Sequence, residues 1–280
     1  MKIAVTGAGG FIGQHVLAEL SGRQHEVVAV IRKTSDSSQL PSFGTSVHLD
    51  LAEADAGVYD DLGCPDVLIH LAWGGLPNYR SLHHFEQELP LQYQFLRTMV
   101  QSGLSSLFVA GTCFEYGMQS GQLHENMPAK PDNPYAFAKD TLRRQLTFLQ
   151  NNLSFSMTWG RLFYLYGEGQ AENSLYPQLQ SAVQRGDDVF NMSGGEQLRD
   201  YLTVTEVARY IVDLAVLGKN IGVVNICSGQ PVSIRSLVEG WIAENNWNIK
   251  LNFGHYPYPD YEPMAFWGDQ HKLLYCLELS

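Results

Sequence analysis

The hexapeptide PYAFAK at residues 134–139 sets a tyrosine and a lysine four positions apart, just behind a proline. Residues i and i+4 share one face of a helix, so a helix opening at Pro134 brings Tyr135 and Lys139 together. Two readings are open: an ordinary helix-surface contact, or a pair that moves protons. A phenol titrates near pH ~10 in isolation, too high for efficient exchange at neutrality. A neighbouring ammonium favours the phenolate and lowers that value. The hexapeptide alone does not choose.

A second stretch, TGAGGFIG at 6–13, points to phosphate chemistry. It follows an apolar strand pattern and opens a helical one. Gly7, Gly10 and Gly13 permit a tight turn, close approach of a pyrophosphate, and close helix–strand packing. The helix N-terminus adds amide donors and the positive end of its dipole. A plain tight turn is the alternative; the position between strand and helix favours a dinucleotide site. An NAD-preferring fold ends its second strand in an acid for the adenosine ribose hydroxyls. Here VVAVIRK sets Ile31 at that position, followed by Arg32 and Lys33. Basic residues are common at solvated strand ends, but with the acid missing they suit a ribose 2′-phosphate, and NADP(H) is the expected cofactor. Asp50, closing VHLDL, is a partner for the adenine amino group.

These groups need elements to position them. KIAVT (2–6), EVVAVI (26–31), VLIHLA (67–72) and SLFVAGT (106–112) read as buried strands of a parallel sheet. Between them, 11–20 and 84–101 show helical periodicity, the second with a stripe of Phe85, Leu89, Leu96 and Val100. A helix from Pro134 carries Ala138, Leu142, Leu146 and Leu149 on one face. This alternation predicts an α/β fold, a Rossmann doubly wound parallel sheet with right-handed crossovers. From about residue 165 the pattern loosens, with VVNIC (223–227) and a helix near 233–246 as its clearest elements. The expected division is a dinucleotide-binding domain over 1–165 and a smaller mixed α/β substrate lobe over 166–280, with some chain crossing back.

Composition narrows the class. A chain of 280 residues that is 45% hydrophobic can bury a large core. Its net charge of −11, from 29 acidic and 18 basic residues, argues against nucleic acid or an anionic membrane as partner. It leaves room for a small anionic ligand. Cys64, Cys113, Cys227 and Cys276 lie far apart, which predicts reduced thiols in a cytoplasmic protein. The nine histidines lack ligand spacing, so no metal is expected. No signal peptide or membrane-spanning segment is expected either.

With these pieces in place the chain resembles the extended short-chain dehydrogenase/reductase family, in particular its nucleotide-sugar epimerases, dehydratases and ketoreductases. TGAGGFIG is similar to the family's T-G-x-x-G-x-x-G, LIHLAWGG (68–75) to its segment beside the cofactor, and GTCFEYG (111–117) to its S/T-x-x-x-Y-G. PYAFAK is similar to Y-x-x-x-K, and RLFYLYGEGQ (161–170) to R-x-F-N-V-Y-G-P-G-Q. GGEQLRDYLTVTEVA (194–208) and VNICSG (224–229) resemble substrate-lobe signatures. The resemblance covers nearly the whole chain. It implies cofactor contacts from Gly7, Gly10, Phe11, Ile12 and Gly13, from Arg32, Lys33, Asp50 and Leu51, and from Leu71, Ala72 and Trp73. It makes Tyr135 the proton-exchanging group and Lys139 both its partner and a hydrogen bond to the nicotinamide ribose. Thr112 becomes the third member, holding the substrate oxygen. Cys113, Phe114, Tyr164 and Arg199 are implied substrate contacts, Arg199 through a diphosphate. By the same likeness the helices over 84–101 and 134–150 pair two copies as a homodimer.

The departures are informative. The family's 4,6-dehydratases carry Asp-Glu after the threonine; Cys113 and Phe114 stand there and cannot shuttle protons, so dehydration is not expected. Glu115 falls one residue later, where it is expected to face the other side of a strand as a salt-bridged or capping carboxylate. The family asparagine of R-x-F-N is Tyr164. The leading expectation is NADPH-dependent reduction of the C4 keto group of a nucleotide-linked 4-keto-6-deoxyhexose, such as dTDP-4-dehydro-6-deoxyglucose, in deoxysugar, O-antigen or other surface-polysaccharide biosynthesis. The alternatives are a C4-epimerase retaining NAD and, from another class, a non-catalytic dinucleotide sensor.

Overall fold

The computed structural model describes residues 1–34 and 43–278. Strand and helix alternate as β1 (Lys2–Thr6), α1 (Phe11–Ser21), β2 (Glu26–Ile31), β3 (Thr45–His48), a short α2 (Val58–Asp61), β4 (Val67–His70), α3 (Leu89–Gln101) and β5 (Ser106–Thr112). After β6 (Gly121–Leu123) come α4 (Pro134–Gln150), β7 (Ser156–Leu162) and β8 (Tyr164–Tyr166). Then follow α5 (Leu175–Arg185), β9 (Val189–Asn191), β10 (Leu198–Thr203), α6 (Val204–Val216) and β11 (Gly222–Ile226). The chain closes with β12 (Pro231–Ser233), α7 (Ile234–Glu244), β13 (Lys250–Asn252), β14 (Phe266–Gly268) and α8 (His271–Leu277).

Seven strands form one sheet in the order β11-β7-β5-β4-β1-β2-β3, and every neighbouring pair in it is parallel. Helices cover both faces, which is why β4 and β5 are buried at every position and read as unbroken apolar runs. One core packs α1 and α6 on the sheet through Val16, Leu17, Leu20, Val207 and Ile211. The opposite core packs α3 and α4 through Phe95, Leu96, Met99, Leu142 and Leu146. Strand order reverses about β1, so the crevice beyond the carboxyl ends of β1 and β4 is where a ligand is received.

The helix expected over 84–101 is two pieces. A π-helical turn at His84–Glu88 precedes α3, and Pro90, without an amide, sits in the first turn of α3. The wider turn rotates the buried face to Leu89, Gln92, Phe95, Leu96, Met99 and Val100, leaving Phe85 half-buried at its margin. Helix α4 starts as its sequence dictates: the Asn133 side chain accepts from the Ala136 amide at 2.9 Å, Pro134 occupies the first turn, and Ala138, Leu142 and Leu146 are buried.

Two placements differ from the sequence pattern. β7 is a central strand, between β5 and β11; its Thr158 and Arg161 interrupt the apolar run that marks the other strands. β11 and α6, far along the chain, belong to the large sheet and its helical cover. A separate core of Leu179, Ala182, Phe190, Met192, Val238, Trp241 and Ile249 holds α5, β9 and α7 together. Among the described residues no helix is long and apolar enough to cross a membrane.

Candidate active site

The turn after β1 is shaped by its glycines. Gly7 has φ +70°, and a Cβ there would lie 2.8 Å from the Ala72 amide nitrogen; at Gly13 a Cβ would collide with the Gly7 carbonyl oxygen. Helix α1 opens at Gly10 with no side chain capping its amides, so those of Phe11 and Ile12 have no partner within the helix. His15 meets the Glu168 carbonyl at 2.9 Å, tying the 167–170 loop to the helix. A cleft of about 530 Å³ continues from Gly7 and Gly10 past Ile31, Arg32, Lys33, Asp50 and Leu51 to Leu71, Ala72 and Trp73. Its length, glycine floor and uncapped helix fit a dinucleotide, the group the sequence implied.

At the adenosine end the two basic residues are not equivalent. Lys33 is in an ion pair with Glu53, whereas Arg32 lines the cleft with no hydrogen bond or ion pair among the described residues. Asp50 caps the 3-10 turn Leu51–Glu53, accepting from the Ala52 amide at 3.0 Å.

At the other end, Thr112, Tyr135 and Lys139 meet where β5 stops. All three are buried. The Lys139 Nζ donates to the Ala110 carbonyl at 2.8 Å and sits 4.0 Å over the Trp73 ring, a cation–π contact. It lies 6.0 Å from the Tyr135 ring centroid. The Thr112 side chain beside Tyr135 favours the phenolate. Burial outweighs it: desolvation first, then the neighbouring Tyr79, Glu115 and Cys113, pushes the phenol well above its ordinary value. This corrects the expectation that Lys139 lowers it. The reason is that the ammonium is turned to a carbonyl and an indole face, and burial itself brings Lys139 down to about 7 against the opposing Glu115 and Glu88 charges. A phenol so held keeps its proton at neutrality, the state of a donor.

Glu115 is not on a strand. It lies in the 3-10 turn Cys113–Tyr116, completes a capping box with Thr112, and its Oε1 accepts from the Thr112 amide at 3.0 Å and from Trp159 Nε1 at 2.9 Å. Its Oε2 pairs with Arg161 at 2.7 Å, both side chains sealed from solvent. As a capping, salt-bridged carboxylate it holds the turn that presents Thr112. Cys113 is buried, and desolvation raises its thiol. Phe114 stacks edge-on with Tyr79 at 5.1 Å. Tyr164, on β8, joins these groups: its ring meets Phe114 at 6.4 Å, and its hydroxyl donates to Glu262 Oε1 at 2.6 Å. Arg199 does not pair with Asp200; its guanidinium donates to Glu262 Oε2 at 2.7 Å.

The sequence reading missed four groups at this site. Glu262 comes from a segment without periodicity and left no signal. Tyr79 lies on the loop after β4, its ring 5.4 Å from Tyr135. His84 accepts from Trp73 Nε1 at 3.1 Å and packs 5.3 Å from Tyr135. Glu88 lines the cleft, receiving Gln92 Nε2 at 2.8 Å and meeting His83 Nε2 at 3.2 Å. Glu88 and Gln92 were legible as polar residues on the buried stripe of a helix, four positions apart.

Residues 3–227 match the NAD dependent epimerase/dehydratase family. The chain is 32% identical over 270 residues, covering 96% of itself and 99% of the relative, to dTDP-6-deoxy-L-talose 4-dehydrogenase (NAD(+)) of Aggregatibacter actinomycetemcomitans. It is 27% identical, over 99% of itself and 91% of the relative, to GDP-6-deoxy-D-talose 4-dehydrogenase of the same organism. Among solved structures, MoeE5 in complex with UDP-glucuronic acid and NAD superposes with a TM-score of 0.82 at 28% identity, over 99% of this chain and 93% of that one.

Proposed function

This chain belongs to the NAD-dependent epimerase/dehydratase family, and we propose that within it the protein is an NADPH-dependent reductase of the C4 keto group of a nucleotide-linked 4-keto-6-deoxyhexose. The observation that carries the reading is the meeting of Thr112, Tyr135 and Lys139 at the end of β5 with Cys113 and Phe114 beside them. That set can orient an oxygen and deliver one proton, and it has no second acid–base pair for dehydration. The cofactor supplies hydride. Thr112 holds the keto oxygen, and Tyr135, kept protonated by burial, gives its proton to the oxygen as charge develops there. Lys139 and the uncapped amides at Phe11 and Ile12 bind and orient the dinucleotide. Support for C4 chemistry on a 6-deoxy sugar comes from the two talose 4-dehydrogenase relatives. Ile31 and Arg32, which has no ion pair among the described residues, support the phosphorylated cofactor.

A second reading, C4-epimerisation with a retained NAD, is favoured by one observation: Lys33 is spent on Glu53, so the phosphate is left with Arg32 alone. The substrate lobe is proposed over 166–280, a homodimer through α3 and α4, where Phe85 and Phe137 meet at 6.1 Å at the surface, and a cytoplasmic place in surface-polysaccharide synthesis. The test is oxidation of NADPH and NADH against a panel of nucleotide 4-keto-6-deoxy sugars, with the C4 configuration of the product read by NMR. Stoichiometric NAD in the purified protein and interconversion of C4 epimers without net oxidation overturn the reductase.

A further inference from the structure

Behind Tyr135 and Lys139 lies a second layer of contacts, built from the loop after β4 and the turn that follows it. Trp73, at the start of the loop, lines the dinucleotide cleft, and Lys139 Nζ sits 4.0 Å over its ring. The indole Nε1 donates to His84 Nδ1 at 3.1 Å, and the two rings stack with centroids 6.4 Å apart. His84 is fully buried, begins the π-helical turn, and meets the Asn78 carbonyl through Nε2 at 2.8 Å. One residue on, the Tyr79 carbonyl accepts from the Tyr135 amide at 3.2 Å. Resting on the reading of Tyr135 and Lys139 as the machinery of the reductase, we propose that His84 is a positioning residue: as a neutral imidazole protonated at Nε2, it fixes the Trp73 indole under Lys139 and so sets how the ammonium is offered to the cofactor.

The tautomer follows from the partners. An indole N–H only donates and a carbonyl oxygen only accepts. Held between them, His84 satisfies both only with its lone pair on Nδ1 and its hydrogen on Nε2. A second proton would set Nδ1–H against the indole N–H and break the bond. Among the described residues no other hydrogen bond reaches the Trp73 nitrogen, so the indole would then be held by packing alone. The titratable groups facing His84 are Tyr135, its ring 5.3 Å away, and Lys139 from α4, with His83 and Glu88 from its own turn. Burial, joined by His83 and Lys139, holds the imidazole below its ordinary pKa against the Asn78 carbonyl and Glu88, so it is neutral at pH 7. His84 lies outside the lining of the cleft and acts on the cofactor only through Trp73 and Lys139.

The test reads the tautomer and cofactor binding apart from turnover. In wild type labelled with 15N-histidine, long-range 1H–15N spectra at pH 7 should show His84 with a pyridine-like Nδ1 and a pyrrole-like Nε2; a proton on Nδ1 overturns the proposal. NADPH and NADH are then titrated by fluorescence, from pH 8 to pH 5.5, into wild type, His84→Phe and His84→Asn. His84→Phe keeps a ring but offers no acceptor, and should bind cofactor about 2- to 10-fold more weakly at pH 8, the worth of one hydrogen bond. His84→Asn sets a carbonyl oxygen near the place of Nδ1 and cannot titrate. It should recover most of that affinity, and wild type should lose affinity relative to it as the pH falls, a comparison in which the cofactor's own phosphates cancel. With Trp73→Phe in the background, His84→Phe should change nothing further. Equal pH dependence of wild type and His84→Asn overturns the proposal, as does an equal loss from His84→Phe in both backgrounds, or a wild type that binds neither cofactor. Should His84→Phe fail to fold by circular dichroism, the wild-type spectrum and the asparagine variant decide. The expected tautomer and affinities with no reduction of any keto sugar sink the reductase reading alone.

Discussion

At the scale of single residues, the site places a reluctant acid beside a reluctant base. Tyr135 is held protonated and Lys139 is drawn toward neutrality by the same burial. Tyr135→Phe should cut turnover by ~10²–10⁴-fold while cofactor affinity stays nearly intact; retention of a tenth of the activity contradicts the role. Lys139→Met should impair both binding and turnover, and it has a separate signature in stability. The lysine titrates at 10.5 ordinarily and at about 7 when folded. Between those values the unfolded chain binds the extra proton, so stability rises with pH through the window, and the full burden of the buried ammonium is felt below pH 7. Lys139→Met should therefore raise the melting temperature most at pH 6, with the gain shrinking toward pH 9. A pH-independent change in melting temperature would show that the ammonium is not the burden. At the cofactor's far end, Arg32→Ala should raise the Michaelis constant for NADPH about 10- to 100-fold, the worth of a charge-assisted hydrogen bond, and spare NADH. Lys33→Ala should do much less, because Lys33 is already paired with Glu53; equal effects of the two substitutions argue that neither meets a phosphate.

At the scale of elements, the link between β5, the turn after it and β7 decides where Thr112 points. Gly111 lies against β7, where any Cβ would collide with Trp159 Nε1. Glu115 gathers the Thr112 amide, Trp159 and Arg161 around one buried carboxylate. Removing one partner of such a pair leaves the other charge buried and alone, which costs about 3–5 kcal/mol. Glu115→Ala should lower unfolding free energy by that order in urea titrations, and the surviving folded enzyme should show a reduced kcat because Thr112 loses its cap. A loss under 1 kcal/mol would mean that water replaces the carboxylate at little cost. The π-helical turn ahead of α3 works in the same way on the other wall, turning Glu88 and Gln92 inward to the cleft.

At the scale of the whole molecule, one carboxylate joins the large sheet to the smaller ones. Asp200, on β10, accepts from the Ser228 amide and hydroxyl at 2.6 and 2.7 Å, from the Gly229 amide at 2.9 Å and from the Gly268 amide at 3.2 Å. It thereby fixes the neighbouring Arg199 relative to β11 and β14. Asp200→Ala should raise the Michaelis constant of the nucleotide sugar at least tenfold while cofactor affinity changes less than about threefold, since an unmet buried donor costs ~1–3 kcal/mol. Parallel loss of both affinities would place the joint under the whole fold instead. The β11 edge of the large sheet is also managed: Lys272 donates to the Ile221 and Val223 carbonyls, and Glu125 accepts from the Asn225 amide. An edge so occupied is poorly disposed to pair with another strand.

What the sequence determined by itself is local or periodic. The glycine turn at 7–13 follows from backbone geometry within eight residues, the pairing of Tyr135 with Lys139 from one turn of helix, and the parallel sheet from apolar runs spaced by helical patterns. Even Glu115 was legible as a capping carboxylate, because a capping box spans only four residues. Tertiary structure alone decided the rest. β7 and β11 complete the sheet by pairing across 64 positions of chain, for which two short strands carry no signal of register or neighbour. Glu262 reaches Arg199 from 63 positions away, out of a segment with no pattern. The charge state of the Tyr135–Lys139 pair was also beyond the sequence. Proximity argued for a lowered phenol, but the balance is set by how much water each group loses and which way the ammonium turns, and those depend on every element packed around them.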